Sequence, residues 1–298
     1  MRVLVTGTTG QVGGALAQRL AAFATVVAAD RAALDLTAAP ERIEAALARA
    51  APDIIINPAA YTAVDRAEDE PDLAHQVNAV APGVIARFAA ARRIPLIHLS
   101  TDYVFDGAGT TPWREDDEAA PLGVYGATKR AGEQAVAEAG GAHLVVRTSW
   151  VYAATGSNFF RTIARLARER DELRVVDDQI GSPTSAAFIA QALADIVRSR
   201  PDLPQAFAAA RHLVHLAAGG ETNWHGFAAA IVAGLKSRGV PVTARRLTAI
   251  PTADYPTRAK RPLNSRLDLT RLRTAFGITP PPWPELLEAE LDRLSDRA

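Results

Sequence analysis

Cysteine is absent from this sequence, and no apolar run is long enough to cross a bilayer. Without cysteine the chain forms no disulfide, no thiolate nucleophile and no cysteine metal site. Its 33 basic and 33 acidic residues cancel, so no overall field draws it to nucleic acid or to an anionic membrane. The segment Met1–Gly7 leads directly into a predicted strand and lacks an apolar signal core. We therefore expect a soluble, cytoplasmic protein without nucleic-acid or membrane partners.

The first half of the chain alternates short apolar runs with segments of helical character. Apolar runs of strand length are found at Val3–Val5, Thr25–Ala29, Asp53–Ile56, Pro95–Leu99 and His143–Arg147. Helices are predicted between them at Gln11–Ala22, Pro40–Ala50 and Pro71–Arg92, the last with an interruption around Pro82. Continuous apolar strands that alternate with helices indicate a parallel sheet covered on both faces. The sequence thus predicts an α/β fold with a doubly wound parallel sheet of the Rossmann type.

The second half is less regular, and no linker or repeat separates it from the first. Helices are predicted at Asn158–Glu169, Ser185–Ser199, Asn223–Ser237 and Leu286–Leu294, and a strand at His212–Ala217. The segment Pro241–Pro262 is rich in Pro, Thr and Arg, which predicts a loop over the surface. We interpret residues 1–150 as a dinucleotide-binding domain and residues 151–298 mainly as a substrate lobe, with some segments returning to the first domain.

A glycine-rich turn follows the first predicted strand and opens the first predicted helix. It reads Gly7-Thr8-Thr9-Gly10-Gln11-Val12-Gly13. Glycines let the backbone turn tightly and approach a pyrophosphate, while the free N–H groups at the helix N-terminus bind its charge. Such a string alone is also found in plain strand-to-helix turns. Its place after an N-terminal strand favours a dinucleotide site formed by Gly7, Gly10, Gln11, Val12 and Gly13.

Three further segments follow strands at the sheet edge where ligands collect. Asp30 ends the second strand, where a carboxylate can bind an adenosine ribose, but Arg31 beside it could instead meet a 2′-phosphate. The sequence leaves NADH and NADPH both open. Asp35-Leu36 and Ala60-Tyr61-Thr62 are predicted to contact the cofactor as well; the alternative is that they form turns and caps, Thr62 being a good N-cap.

Thr101, Tyr125 and Lys129 form the predicted catalytic set. Tyr125 and Lys129 are four residues apart in Tyr-Gly-Ala-Thr-Lys, a spacing that places both on one helix face. A nearby ammonium favours phenolate, so Lys129 is expected to lower the pKa of Tyr125 toward the working range. Tyr125 would then give a proton to a carbonyl oxygen as hydride reaches its carbon. Lys129 would also bind the nicotinamide ribose, and Thr101 would align the same oxygen.

The chain resembles the dTDP-4-dehydrorhamnose reductase family of extended short-chain dehydrogenases. The resemblance spans nearly the whole chain and is carried by seven segments: Gly7–Gly13, Asn57–Asp65, Ser100–Gly107, Tyr125–Lys129, Arg147–Tyr152, Asp178–Thr184 and Arg261–Ser265. It implies NAD(P)H-dependent reduction of the 4-keto group of dTDP-4-dehydro-β-L-rhamnose to dTDP-β-L-rhamnose, the last step in making that sugar donor. It also implies that Thr101, Asp102 and Trp150 contact the sugar.

The resemblance also bears on metal and assembly. Family members that dimerise around a bridging Mg²⁺ use glutamates, one of them on the first helix, where this chain has Ala15. No metal ligand is therefore assigned. The expected partner is a small-molecule dTDP-sugar, and the chain itself is expected to be a monomer or a homodimer.

Several other functions stay open at this point. The extra acid that dehydratases place after the Thr is missing, because Thr101 is followed by Asp102-Tyr103. Epimerases share the Tyr and Lys, so a reductase or epimerase of another sugar nucleotide is one alternative. A non-catalytic subunit similar to the regulatory β subunit of methionine adenosyltransferase is another, which the intact Thr101, Tyr125 and Lys129 disfavour.

Histidines and a basic cluster are weaker candidates. His212 and His215 are poor metal co-ligands if three residues apart on one strand, because their side chains then point to opposite faces. His98, in an apolar strand, is predicted to be buried and hydrogen-bonded. Arg258, Lys260 and Arg261 could meet a diphosphate or form a solvated loop.

Overall fold

A computed structural model of the chain describes residues 1–199 and 202–295. Its strands are β1 (Arg2–Thr6), β2 (Thr25–Ala29), β3 (Ile54–Asn57), β4 (Leu96–Thr101), β5 (His143–Thr148), β6 (Val151–Tyr152), β7 (Glu172–Val176), β8 (Ile180–Gly181), β9 (Thr184–Ser185), β10 (Leu213–His215), β11 (Thr222–Asn223) and β12 (Arg246–Ile250). Its helices are α1 (Gln11–Leu20), α2 (Pro40–Ala50), α3 (Val64–Ala67), α4 (Pro71–His75), α5 (Ala81–Arg92), α6 (Val124–Glu138), α7 (Phe159–Glu169), α8 (Ala186–Ser199), α9 (Leu203–Ala209), α10 (Trp224–Ser237), α11 (Thr270–Phe276) and α12 (Trp283–Ser295).

The main sheet confirms the predicted fold class. Among the described residues it has six strands in the order β10-β5-β4-β3-β1-β2, and each neighbouring pair is parallel. The strand order reverses at β1, because β2 lies on one side of β1 and β3, the next strand in the chain, lies on its other side. In open parallel sheets this reversal leaves a crevice at the carboxyl ends of the strands, which is where ligands bind.

Helices cover both faces of the sheet, as the apolar strands require. On one face, an apolar cluster joins α1 and α8 to the sheet through Leu16, Leu20, Ile189 and Leu193. On the other, α2, α5 and α6 pack through residues such as Ile43, Val84 and Val136. The strand β10 comes from the second half of the chain, within the predicted segment His212–Ala217, and pairs with β5.

The predicted helix Pro71–Arg92 is interrupted just before Pro82. The α-helical register of α4 gives way to a π-helical segment, Gln76–Val80, before α5 begins. Proline has no N–H to donate to the carbonyl four residues earlier, here Asn78, and its ring crowds that carbonyl. The wider turn accommodates the proline, and the Asn78 side chain in it accepts from the Tyr61 N–H and donates to the Thr128 hydroxyl.

The second half packs around its own apolar cluster, which includes Phe160, Ile163, Phe227 and Leu291. The prediction of a loop over Pro241–Pro262 was wrong in part, because Arg246–Ile250 form β12, parallel to β7. The partner strand, β7, is more than seventy residues away in sequence, so no local pattern predicts the pairing. Within the described ranges, no helix is both long and apolar enough to cross a membrane.

Candidate active site

The glycine turn between β1 and α1 has the close backbone packing that the sequence predicts. Gly7 has a φ of 59°, a conformation that side chains rarely adopt. A Cβ at Gly13 would lie 2.3 Å from the Gly7 carbonyl oxygen, so only glycine lets α1 begin this close to the strand. The N–H groups of the first turn of α1 therefore face the sheet edge, where a pyrophosphate can accept from them.

A cavity of about 660 Å³ opens at the carboxyl ends of the strands. It is walled by both halves of the chain. From the first half come Gly7, Gly10, Gln11, Val12, Gly13, Ala60, Thr62, Thr101, Asp102, Tyr125, Lys129 and Trp150, and from the second Asn158, Phe159, Trp224 and Phe227. Most of the predicted cofactor, catalytic and sugar-binding residues thus share one space, although Gly7 and Trp224 are more than two hundred residues apart.

Thr101, Tyr125 and Lys129 meet where β4 ends and α6 begins. The Thr101 hydroxyl donates to Asp102 Oδ1 over 3.0 Å and accepts from the Tyr103 N–H over 3.2 Å. Tyr125 and Lys129 lie in the first turns of α6 and line the same cavity. Lys129 Nζ donates to the Leu99 carbonyl over 2.5 Å, which fixes the ammonium beside β4.

Burial dominates the electrostatics of this set. It raises the pKa of the Tyr125 phenol well above its usual value; a hydrogen bond with Thr101 lowers it and the charge of Asp102 raises it further. The expected lowering of the Tyr125 pKa by Lys129 is therefore not met: Lys129 is not among the groups that shift this pKa, and desolvation penalises the phenolate. Burial also lowers the pKa of Lys129 to about 8 and raises that of Asp102 to about 6.

The residues predicted at the adenosine end lie outside the walls of this cavity. Asp30 accepts from the Ala33 N–H over 2.9 Å, and Asp35 accepts from both the N–H and the hydroxyl of Thr37. Arg31 is largely exposed, with its Nε 3.9 Å from Asp35. Because β2 pairs with β1, Asp30 and Arg31 still follow the strand next to the glycine turn.

Leu36 and Tyr61, also predicted at the cofactor, have other contacts. Leu36 is buried in the apolar cluster beneath α2, and the Tyr61 hydroxyl donates to Glu70 over 2.5 Å. Thr62 lines the cavity. It does not cap α3, whose N-cap is Ala63.

Trp150 and aromatic residues of the second half form an aromatic wall. Sequence reasoning had identified only Trp150 among them. The Trp150 indole stacks on Trp224 with ring centroids 3.6 Å apart, and Phe159 packs on Trp224 at 4.6 Å. Trp150 has a φ of 48°, a strained conformation that is concentrated at functional sites. Trp224 is fixed in turn, because its Nε1 donates to Gln179 over 3.0 Å. Only the aromatic character of these scattered residues could have suggested the wall.

Asn158 was also missed as a site residue. Its side-chain oxygen caps α7 by accepting from the Arg161 N–H over 3.0 Å, and its Nδ2 donates to Gln11 over 2.8 Å. Gln11 begins α1, so one side chain joins the glycine turn to the second half. The sequence predicted a helix over Asn158–Glu169 but not this link.

The basic cluster and the acidic segment after Thr62 bind each other. Arg261 pairs with Asp65 over 2.6 Å, and Arg258 pairs with Asp69. Neither arginine lines the main cavity. These pairs fix the segment before Ser265 onto α3, so their geometry does not support the diphosphate contact considered for the cluster.

The histidines have structural surroundings. His98 is fully buried, and its Nδ1 lies 3.1 Å from the amide nitrogen of Asn57, as predicted. His212 lies outside β10 and stacks on His143 at 4.7 Å, whereas His215 packs edge-on against Phe105 at 5.8 Å.

The residues present do not fit the bridging Mg²⁺ of some family members. Ala15 packs against the apolar cluster around α1 and offers no oxygen ligand. Across residues 1–199 and 202–295, no group of three or more His, Cys, Asp or Glu side chains could hold a metal ion.

A glycine turn, a strand-end threonine and a Tyr-x-x-x-Lys helix around one cavity define a nicotinamide-dependent oxidoreductase of the Rossmann type. The family model described as the RmlD substrate binding domain matches residues 1–295. The chain belongs to the dTDP-4-dehydrorhamnose reductase family.

Relatives and solved structures agree with this assignment. A dTDP-4-dehydrorhamnose reductase of Burkholderia thailandensis is 45% identical over 287 residues, covering 95% of this chain and 95% of that protein. One from Shigella flexneri is 42% identical over 297 residues, covering 99% and 98%. The crystal structure of a dTDP-4-dehydrorhamnose reductase from Bacillus anthracis, in complex with NADP, superposes with a TM-score of 0.88 at 33% identity, covering 98% of this chain and 99% of that one.

Proposed function

We propose that this enzyme reduces the 4-keto group of dTDP-4-dehydro-β-L-rhamnose to dTDP-β-L-rhamnose with NADPH or NADH, and that Tyr125 is the proton donor. The observation that carries the proposal is the shared cavity, in which the glycine turn and Thr101, Tyr125 and Lys129 face the aromatic wall. The names of relatives above 40% identity support the substrate.

The first domain, residues 1–150, would hold the cofactor. The turn Gly7–Gly13 and the N-terminus of α1 suit a pyrophosphate, because the glycines allow a tight turn that leaves the N–H groups at the helix N-terminus available to it. Lys129 is positioned to bind the nicotinamide ribose. Asp30 and Arg31 follow the neighbouring strand and would meet the adenosine ribose or its 2′-phosphate. When bound, the reduced nicotinamide supplies the hydride.

Proton delivery falls to Tyr125. Its raised pKa keeps the phenol protonated near neutral pH, which is the state a donor needs before the carbonyl carbon is reduced. As negative charge develops on the carbonyl oxygen, the phenol gives up its proton to that oxygen. The ammonium of Lys129, largely charged below its pKa of about 8, would hold the nicotinamide ribose. Thr101 hydrogen-bonds the same oxygen and orients it.

The sugar would lie between the end of β4 and Trp150 on the first domain and the substrate lobe, residues 151–298. Asp102 is buried, and within the described structure its Oδ2 has no hydrogen-bond partner. A buried acceptor of this kind at a cavity wall suits a sugar hydroxyl. The indole of Trp150, held by Trp224, would pack against the apolar face of the ring.

The intact catalytic set argues against the regulatory-subunit alternative. A binding subunit has no need of Thr101, Tyr125 and Lys129 around one cavity. An enzyme acting on another sugar nucleotide uses the same atoms, so the substrate must be tested directly.

We propose further that the enzyme works in the cytoplasm as a monomer or a homodimer, on a small-molecule substrate and without nucleic acid. Cell fractionation tests the location. Size-exclusion chromatography with light scattering tests the assembly.

The decisive assay follows NAD(P)H oxidation by absorbance with freshly generated dTDP-4-dehydro-L-rhamnose, offering NADH and NADPH separately. Oxidation that depends on the sugar nucleotide is expected, and the faster cofactor identifies the preference. A folded protein that binds cofactor but leaves the sugar nucleotide unreduced would contradict the proposal. UDP- and GDP-linked 4-keto sugars serve as controls for the nucleotide.

A further inference from the structure

Glu133 lies one helical turn beyond Lys129 on α6 and is only 4% exposed. It accepts from Arg147 Nε over 2.8 Å and from Arg147 Nη2 over 2.7 Å. Arg130 Nη1 donates to the same carboxylate over 2.8 Å. The i, i+4 spacing places Glu133 on the face of α6 that carries Tyr125 and Lys129, yet none of the catalytic steps above uses it.

Arg147, the main partner of Glu133, is itself buried. It is 1% exposed, near the end of β5, and its guanidinium lies 5.0 Å from the Phe105 ring. Within the described residues its Nη1 has no hydrogen-bond partner. Arg147 is therefore a buried cation paired with a buried carboxylate, and Lys129, 2% exposed, is a second buried cation one helical turn before that carboxylate. Buried charge is tolerated only where it is paired and hydrogen-bonded.

Two effects oppose each other at Lys129. Burial favours the neutral amine and lowers the pKa, and the negative charge of Glu133 favours the ammonium and raises it. Other titratable groups on the elements packed against this part of α6 are Tyr125 on α6 itself, His98 on β4, Asp102 and Tyr103 in the turn after β4, and His143 and Arg147 on β5. Of these, His98 is held neutral by burial, and the charge of Lys129 lowers its pKa further.

The remaining elements packed on α6 contribute little to this balance. They bring Asp65 and Arg66 on α3, Asp72 and His75 on α4, and Arg87 and Arg92 on α5. The groups that shift the pKa of Lys129 do not include them. Glu133 is thus the anion that raises the pKa of Lys129.

We propose that Glu133, clamped by Arg147, is a positioning residue that keeps the Lys129 side chain, which bonds the Leu99 carbonyl beside β4, in its charged form. The inference rests on the proposed function only for its consequence in catalysis. A purely structural role predicts something different: loss of Glu133 would weaken the packing of α6 on β5 and leave the charge state of Lys129 unchanged.

The test uses the fact that the chain has three lysines, Lys129, Lys236 and Lys260. With ¹³C-labelled lysine, the Cε–Hε signals of the whole protein titrate separately, and Lys129→Arg assigns its signal. In Glu133→Gln the titration midpoint of Lys129 is expected to fall by about one pH unit, because an adjacent charge shifts a buried group by this order. The signals of Lys236 and Lys260 should not move.

The matched control is Glu115→Gln. Glu115 is also buried, accepts from the His215 N–H over 3.1 Å and lies 3.6 Å from Arg271, but it is outside the cavity wall. This variant should leave the Lys129 midpoint and the activity unchanged. Glu133→Asp keeps the charge but withdraws it by one methylene, so its Lys129 midpoint should lie between those of Glu133→Gln and Glu115→Gln, and it replaces Glu133→Gln in the measurement if that variant does not fold.

An unchanged Lys129 midpoint in folded Glu133→Gln overturns the inference, as does a Glu115→Gln shift of equal size. If Glu133→Gln does not fold, a midpoint in Glu133→Asp equal to that of Glu115→Gln overturns it instead. The alkaline limb of kcat/KM should move down with the NMR midpoint. Because the NMR titration needs no substrate, a wrong assignment of the reaction would leave its result intact, so the two failures are distinguishable.

Discussion

Tyr125 lies in the cavity wall with Thr101 beside it and Lys129 one turn further along α6. Burial shifts the pKa values of Tyr125 and Lys129 in opposite directions. Tyr125 is kept protonated by burial, whereas Lys129 remains largely charged although burial lowers its pKa to about 8. A neutral acid next to a cation is the pairing that proton donation to a carbonyl requires.

Replacing Tyr125 with Phe removes the proton donor and little else. We expect kcat to fall by at least about 100-fold, the usual contribution of a positioned acid, with NADPH binding retained. Stopped-flow absorbance measures the chemical step, and circular dichroism checks the fold. Near-normal turnover by a folded Tyr125→Phe variant would show that the proton comes from another group.

Asp102 offers a test of pH and stability at a single residue. Burial raises its pKa to about 6 from 3.8, so the folded state holds this proton more tightly than the unfolded state. The stability from that proton is complete below the unfolded pKa and is lost as pH rises through the folded pKa. Asp102→Asn is therefore expected to raise the free energy of unfolding by about 1–3 kcal/mol at pH 8 and much less at pH 4.

Urea unfolding at the two pH values measures this difference, with the exposed Asp72→Asn as the control. Substrate turnover by Asp102→Asn should fall if its carboxylate binds a sugar hydroxyl. Equal stability of Asp102→Asn and the parent protein at pH 8 would contradict the argument.

At the scale of elements, α6 is the helix on which the catalytic geometry depends. One of its faces carries Tyr125, Lys129 and Glu133. Its other contacts rely on glycine: a Cβ at Gly126 would lie 2.1 Å from the Tyr103 carbonyl oxygen, and one at Gly132 would lie 2.0 Å from the Asn78 carbonyl oxygen. The glycines let α6 approach the π-helical segment and the turn after β4, which brings its charged face to the cavity.

Gly132→Ala should push α6 away from the π-helical segment. We expect a loss of about 1–3 kcal/mol in stability, the usual cost of overpacking, and a loss of activity as Lys129 moves. Gly234→Ala is the matched control, since there the added Cβ meets only the end of the Leu291 side chain. Denaturant unfolding compares the two, and equal stabilities would show that the backbone contact at Asn78 is not limiting.

At the scale of the whole molecule, the cavity exists because two halves of the chain close over the sheet edge. The bond from Asn158 to Gln11 joins the start of α7 to the start of α1. The aromatic wall around Trp150 completes the space from the same side. On the proposed function, cofactor and sugar would be held against each other only when both halves are in place.

Asn158→Ala tests this link. It removes both the cap of α7 and the bond to Gln11, so stability should fall by about 1 kcal/mol and KM for the cofactor should rise. Asn223→Ala is the matched control, because Asn223 caps α10 by accepting from the Gly226 N–H over 2.6 Å without contacting the glycine turn. A similar KM for the cofactor in both variants would show that the cap alone explains the effect.

Much of the fold and of the candidate site could be predicted from short segments of the sequence. Buried strands such as Ile54–Asn57 are recognisable because an apolar run between helices fits a sheet covered on both faces. The glycine turn, Thr101 and the Tyr125-to-Lys129 spacing each follow from constraints within a few residues. The family could be stated because motifs from Gly7 to Ser265 occur together in one chain.

Tertiary structure decided what depends on distant partners. The strand β12 forms only because β7 is beside it, and Trp224 becomes a site residue only because it stacks on Trp150. The pKa of Tyr125 is raised, although its spacing from Lys129 predicted that it would be lowered. Desolvation depends on everything packed around the phenol and not on one neighbour. The Glu133–Arg147 pair is likewise invisible in the sequence. Residue spacing predicts contacts within a few residues, whereas burial and long-range contacts exist only once the chain has folded.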